Sequence, residues 1–110
     1  MEAVVAWIVL VAAGLVEIVM ALALKYAEGW TQPGPGALGI CAALASFFLL
    51  TFALKSLAVA TAYAVWTGIG AVGVSLAGIL FLGESAHPAR LACIAAITGG
   101  IVGLRLLEGR

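Results

Sequence analysis

The sequence predicts an all-α membrane protein built from four transmembrane helices. Of its 110 residues, 65% are hydrophobic and only 9% charged, whereas about a quarter of a soluble domain is charged. The apolar residues gather in four long runs, 3–24, 38–54, 59–82 and 91–107, each approaching the ~17 to 25 residues that a transmembrane helix needs. The runs do not alternate in polarity as the strands of a membrane barrel do, and a helix satisfies its own backbone polar groups in lipid. The expected organisation is a single four-helix transmembrane domain over residues 1–110.

The polar residues narrow the function by exclusion. The net charge is zero and no basic cluster occurs, so neither nucleic acid nor an anionic membrane surface is indicated as a partner. Cys41 and Cys93 lie in apolar runs without metal-ligand spacing, and they read as small core residues. His87, beside Pro88 in a short polar loop, reads as a solvated turn residue. No metal and no cofactor are expected, and no enzymatic chemistry is indicated.

The first run carries one carboxylate, Glu17. At ~1.5 Å per residue the run reaches across a hydrocarbon core of roughly 30 Å, which places Glu17 well below the headgroups. An ionisable group there costs at least ~2.5 kcal/mol on insertion scales, so it marks a functional site facing protein or a water-filled cavity. The bland alternative is a structural pairing with Lys25 or Arg105. Ala13, Gly14, Met20 and Ala21 share the Glu17 face by helical spacing, and the small residues among them serve either close helix packing or room for a ligand. The run has no basic segment before it and exceeds the ~7 to 15 apolar residues of a signal peptide, so it is expected to remain in the mature chain.

The connection that follows, Lys25 to Ala37, holds Pro33, Gly34, Pro35 and Gly36 as turn chemistry. The second run contributes Ser46, flanked by Phe47 and Phe48. A serine at this depth bonds its own i−4 carbonyl or donates to the carboxylate. The third run places Tyr63, Trp66, Thr67 and Gly70 at i, i+3, i+4 and i+7, an aromatic and hydroxyl stripe on one face. Tyrosine and tryptophan mark membrane interfaces, which suits Trp7 and Trp30; Tyr63 and Trp66 sit deeper and need polar partners. Gly68, Gly70 and Gly73 match a dinucleotide-binding pattern in letters only, because no strand precedes them. In a membrane helix they permit close packing or a hinge. The fourth run has small residues at helical spacing, including Ala92, Gly99, Gly100 and Gly103, and reads as a helix-association face and dimer seam.

Four spans put both termini on one side with the second connection. That side carries Lys55, Arg105 and Arg110, the other Lys25 and Arg90, a weak bias where basic residues normally set orientation. Two oppositely inserted copies can then pair, reproducing in a dimer the inverted symmetry that larger transporters carry in one chain. Four small-residue helices also leave little space for a central site within one copy, which points to an obligate dimer.

These residues resemble the small multidrug resistance family of proton-coupled exporters over essentially the whole chain. The matching elements are Gly14-x-x-Glu17, the segment Lys25 to Thr31, Pro35, Ala45-Ser46-Phe47, the Ala62 to Gly73 block and Leu82-Gly83-Glu84. Lys55-Ser56-Leu57 and the segment Thr61 to Gly73 resemble the guanidinium-exporting subtype. The resemblance implies an antiparallel, dual-topology homodimer of the bacterial inner membrane, multi-pass, exchanging guanidinium for protons. It implies that Glu17 is the essential carboxylate, Ser46 and Trp66 its hydrogen-bonding neighbours, and Tyr63 a gating aromatic. Met20 stands where the subtype typically has tryptophan, and Ala58 and Ala60 where it usually has proline and glycine. A thioether in place of an indole N–H softens the wall and removes a donor. That opens the pocket to substituted guanidinyl cations such as guanylurea or biguanides, or calls for a different partner subunit in a heterodimer. An exporter of hydrophobic quaternary ammonium drugs is the alternative reading.

Overall fold

The structure is a computed structural model that describes residues 3–108. It contains four helices, α1 (Ala3–Tyr26), α2 (Pro33–Ala53), α3 (Val59–Phe81) and α4 (Pro88–Glu108). Each is long and apolar enough to cross a membrane. Arg110, counted above among the charges of the terminal side, lies outside the described residues.

The helices form a slab rather than a closed bundle. The molecule measures 45 × 34 × 17 Å, and its thickness is under two helix diameters. At the backbone level α1 is central, with α2 along one side and α3 along another, while α4 leans on α3 alone among the described residues. Although consecutive in sequence, α2 and α3 meet only lightly. α1 takes the place between them.

That central place follows from small residues that let side chains cross between helices. A Cβ at Gly14 would lie 2.6 Å from Ile69 Cγ2, and one at Gly39 would lie 2.6 Å from Leu24 Cδ2. On α3, a Cβ at Gly73 would overlap Ile18. The buried cluster lies where the start of α1 meets the α2–α3 connection, with Trp7, Leu10 and Ala13 against Leu57, Val65 and Trp66. Trp7, expected in an interfacial belt, stands in the first turns of α1 and is buried against the other helices, with the Arg105 guanidinium 5.2 Å from its ring centroid. Cys41 and Cys93, expected in the core, are exposed on the surface of this chain.

The helix ends differ from the sequence reading in one instructive place. Pro33 to Gly36, expected to end the helical pattern, form the first turn of α2 after an extended Gln32. Proline fits that turn because its missing N–H would have no intrahelical partner. The Gly36 amide donates to the Gln32 carbonyl at 3.0 Å. The chain reverses instead at Glu28, Gly29 and Trp30, all in the left-handed region with φ of 47°, 67° and 73°. His87 is more than a solvated turn residue, since its Nδ1 accepts the Ala89 amide at 3.1 Å and caps α4.

Candidate functional site

Glu17 lies midway along α1 and reaches across to α3. Gly70 makes this possible, because any Cβ there would overlap Glu17 Oε1. The carboxylate therefore occupies the space a side chain would fill, and its Oε1 is buried without a hydrogen-bond partner among the described residues. The structural pairing weighed above does not form. Arg105 is on Trp7, and the one ion pair among the described residues joins Arg90 to Glu84 at 3.5 Å. A buried carboxylate oxygen with no donor is costly unless a partner arrives from elsewhere.

The carboxylate borders a cavity of about 260 Å³ between α1 and α3. Met20 and Ala21 continue its wall on α1, and Thr67, Gly70, Ala71 and Val74 form the α3 side. Thr67 uses its hydroxyl locally, donating to the Tyr63 carbonyl at 2.8 Å, so it narrows the wall without presenting a free donor. Met20 is thus placed with Glu17, one turn along the same helix.

Ser46 and Trp66, neither of which lines this cavity, form a second cluster. Trp66 Nε1–H donates to Ser46 Oγ at 2.8 Å, and Ser46 O–H donates to the Ala13 carbonyl at 2.7 Å. Ser46 is fully buried and Trp66 is 7% exposed, so both polar groups are satisfied in a dry environment. Neither alternative weighed for Ser46 is realised, since its acceptor is on α1 rather than its own helix or Glu17. The Ala13 carbonyl is also the one that the regular helical ladder assigns to the Glu17 amide. The relay Trp66 to Ser46 to Ala13 therefore fixes the turn of α1 that carries Glu17.

The aromatic stripe divides accordingly. The Trp66 ring is tilted against Phe47 and Tyr63, each 5.7 Å away between centroids. Tyr63 is 58% exposed and does not border the Glu17 cavity. Gly14 is filled by Ile69 and serves packing rather than ligand space. Gly68 lies against Ile101 of α4, with a Cβ distance of 3.0 Å. Ala92 and Gly99 are exposed on the outer side of α4. Sequence reasoning missed the Ala13 carbonyl, which no side-chain pattern marks, and the wall residues Ala71 and Val74. Thr67 and Gly70 were visible in the helical stripe, but their service to Glu17 was not.

This arrangement, a membrane-depth carboxylate lying on a glycine and backed by a tryptophan–serine relay, can be set against known proteins. The family model described as Small Multidrug Resistance protein matches residues 5–97. The chain belongs to the small multidrug resistance family. A guanidinium exporter of Escherichia coli strain K12 is 55% identical over 100 residues, covering 91% of this chain and 95% of that relative. Guanidinium exporters of Citrobacter freundii and Salmonella typhimurium are 54% identical with the same coverage. The segment matched to the small multidrug resistance family holds Glu17, Met20, Ser46, Tyr63 and Trp66 together.

Proposed function

We propose that this protein exports guanidinium and related guanidinyl cations across the inner membrane in exchange for protons. The observation that carries the reading is the unpartnered Glu17 Oε1, buried beside a cavity between α1 and α3. A planar guanidinium presents two parallel N–H groups to two carboxylate oxygens, a bidentate match that supplies the missing donors. A proton satisfies the same oxygen. Proton and cation then compete for one group, and a protein that changes its open side only when occupied couples their opposite movements. The 55% identity to a guanidinium exporter supports the substrate class.

The working unit in this reading is a pair of inverted copies. In a slab 17 Å thick, the site stands on a surface that a second copy completes. Each copy brings one Glu17, and Tyr63, exposed beside Trp66, is available to the partner as a gate. The glycines Gly99, Gly100 and Gly103 have nothing within 4 Å of a Cβ position, which suits α4 as the seam. Met20, present in the cavity wall, favours substituted guanidinyl cations beside guanidinium itself, because a flexible thioether yields to a larger group.

The test is guanidinium and proton exchange in proteoliposomes. Glu17→Gln is expected to abolish both cation uptake and the proton release that accompanies substrate binding. Retained coupled exchange in that variant rejects the proposal.

A further inference from the structure

A second and larger cavity lies away from Glu17. It is a groove of about 550 Å³ formed by the first half of α1, the N-terminal half of α3 and the end of α4, and it shares no residue with the Glu17 cavity. Its walls include Val4, Trp7 and Val11 of α1, Ile69 of α3, and Val102 and Arg105 of α4. That volume is in the ~300 to 1,000 Å³ range of small-molecule sites. One end is charged. Among the described residues Arg105 is the only ionisable one in the lining; it stands in the last turn of α4 and holds its guanidinium 5.2 Å over the Trp7 ring.

We propose that this groove binds an anionic phospholipid, with Arg105 on the headgroup phosphate and one acyl chain along the apolar wall. The charge lies at the correct depth. Val4 and Trp7 are in the first turns of α1, and Arg105 is in the last turn of α4, so this end of the groove lies toward the membrane surface. Its other end runs inward past Val11 and Ile69. Basic pockets between transmembrane helices select anionic lipids on this principle, a fixed cation at headgroup level above an apolar channel. Arg105 forms no ion pair with a carboxylate among the described residues. Its contact with the Trp7 ring, 5.2 Å to the centroid, already restrains the side chain, so less freedom is lost when a phosphate binds. Arg105 and Gly103 point to nearly opposite sides of α4, while Val102 and Leu106 share a face with Gly99, so the apolar wall of the groove borders the proposed dimer seam and its charged end faces away from it. In the inverted pair described above, each leaflet receives one groove.

Native mass spectrometry of the full chain, titrated with phosphatidylglycerol and phosphatidylcholine of identical acyl chains, tests this. The unaltered protein is expected to retain phosphatidylglycerol about fivefold more than phosphatidylcholine, the preference one basic residue gives near a headgroup. Arg105→Gln is expected to bring that ratio near one. Lys55→Gln is the control. Lys55 stands on the same side, with its Nζ 5.1 Å over the Phe52 ring, but lines no part of the groove; its removal leaves the ratio unchanged. Val102→Trp fills the groove and lowers retention of both lipids. A ratio near one in the unaltered protein, equal losses in the Arg105 and Lys55 variants, or undiminished retention in Val102→Trp overturns the proposal.

Discussion

The α1–α3 interface and the outer side of α4 use the same residue type to opposite ends. Between α1 and α3, the glycines are taken up: Ile69 fills the space over Gly14, Glu17 that over Gly70, and Ile18 that over Gly73. On α4, Gly99, Gly100 and Gly103 face open space. In sequence the two stripes look alike. A filled glycine fixes a neighbour's side chain within the chain, whereas an unfilled one leaves a surface that lipid or a second copy covers. The carboxylate proposed to hold the cation sits on the filled side, where its position is set by packing before any ligand arrives.

The largest effect should come from the filled side. Gly70→Ala places a methyl where Glu17 Oε1 lies. The obstacle is the far end of a flexible side chain, so the fold survives and the carboxylate moves. Guanidinium binding measured by calorimetry is expected to weaken about 10- to 100-fold, the worth of one charge-assisted hydrogen bond. Binding at the original affinity would show that Glu17 is not held by Gly70. The counterpart on the open side is Gly100→Leu. Nothing within the chain opposes that side chain, so helical content is expected to be unchanged while cross-linked dimer falls. Loss of helicity without loss of dimer would place the seam elsewhere.

This contrast also marks how far the sequence could be read. The four helices were legible because apolar runs of spanning length leave no other economical structure in lipid. Glu17 was legible because a carboxylate at that depth demands an explanation. The α2 start was not, since Pro33 to Gly36 are equally good as a turn and as a first helical turn, and the chain reversal falls earlier, at Glu28 to Trp30. The role of Gly70 was hidden because a packing glycine and a hinge glycine have the same letter. The partner of Ser46 was hidden more deeply, because it is a backbone carbonyl on another helix, at a separation of 33 residues.

Ser46 and Thr98 sharpen the comparison at its finest scale. Both are hydroxyls within apolar helices. Thr98 Oγ1 donates to the Ile94 carbonyl at 3.0 Å, a bond within its own helix, while Ser46 joins α1 and α3 through Ala13 and Trp66. Ser46→Ala removes both bonds and leaves the Trp66 N–H buried without an acceptor, which costs about 1 to 3 kcal/mol. Thr98→Val preserves the shape, and the lost bond is one that slightly strains a helix in any case. Its effect is expected to stay within about 0.5 kcal/mol, as for changes that touch no interhelical contact. Reversible unfolding in mixed micelles measures both. Equal destabilisation by the two variants would mean that the relay beneath Glu17 is no more than local helix chemistry, and that the turn carrying the carboxylate is held by packing alone.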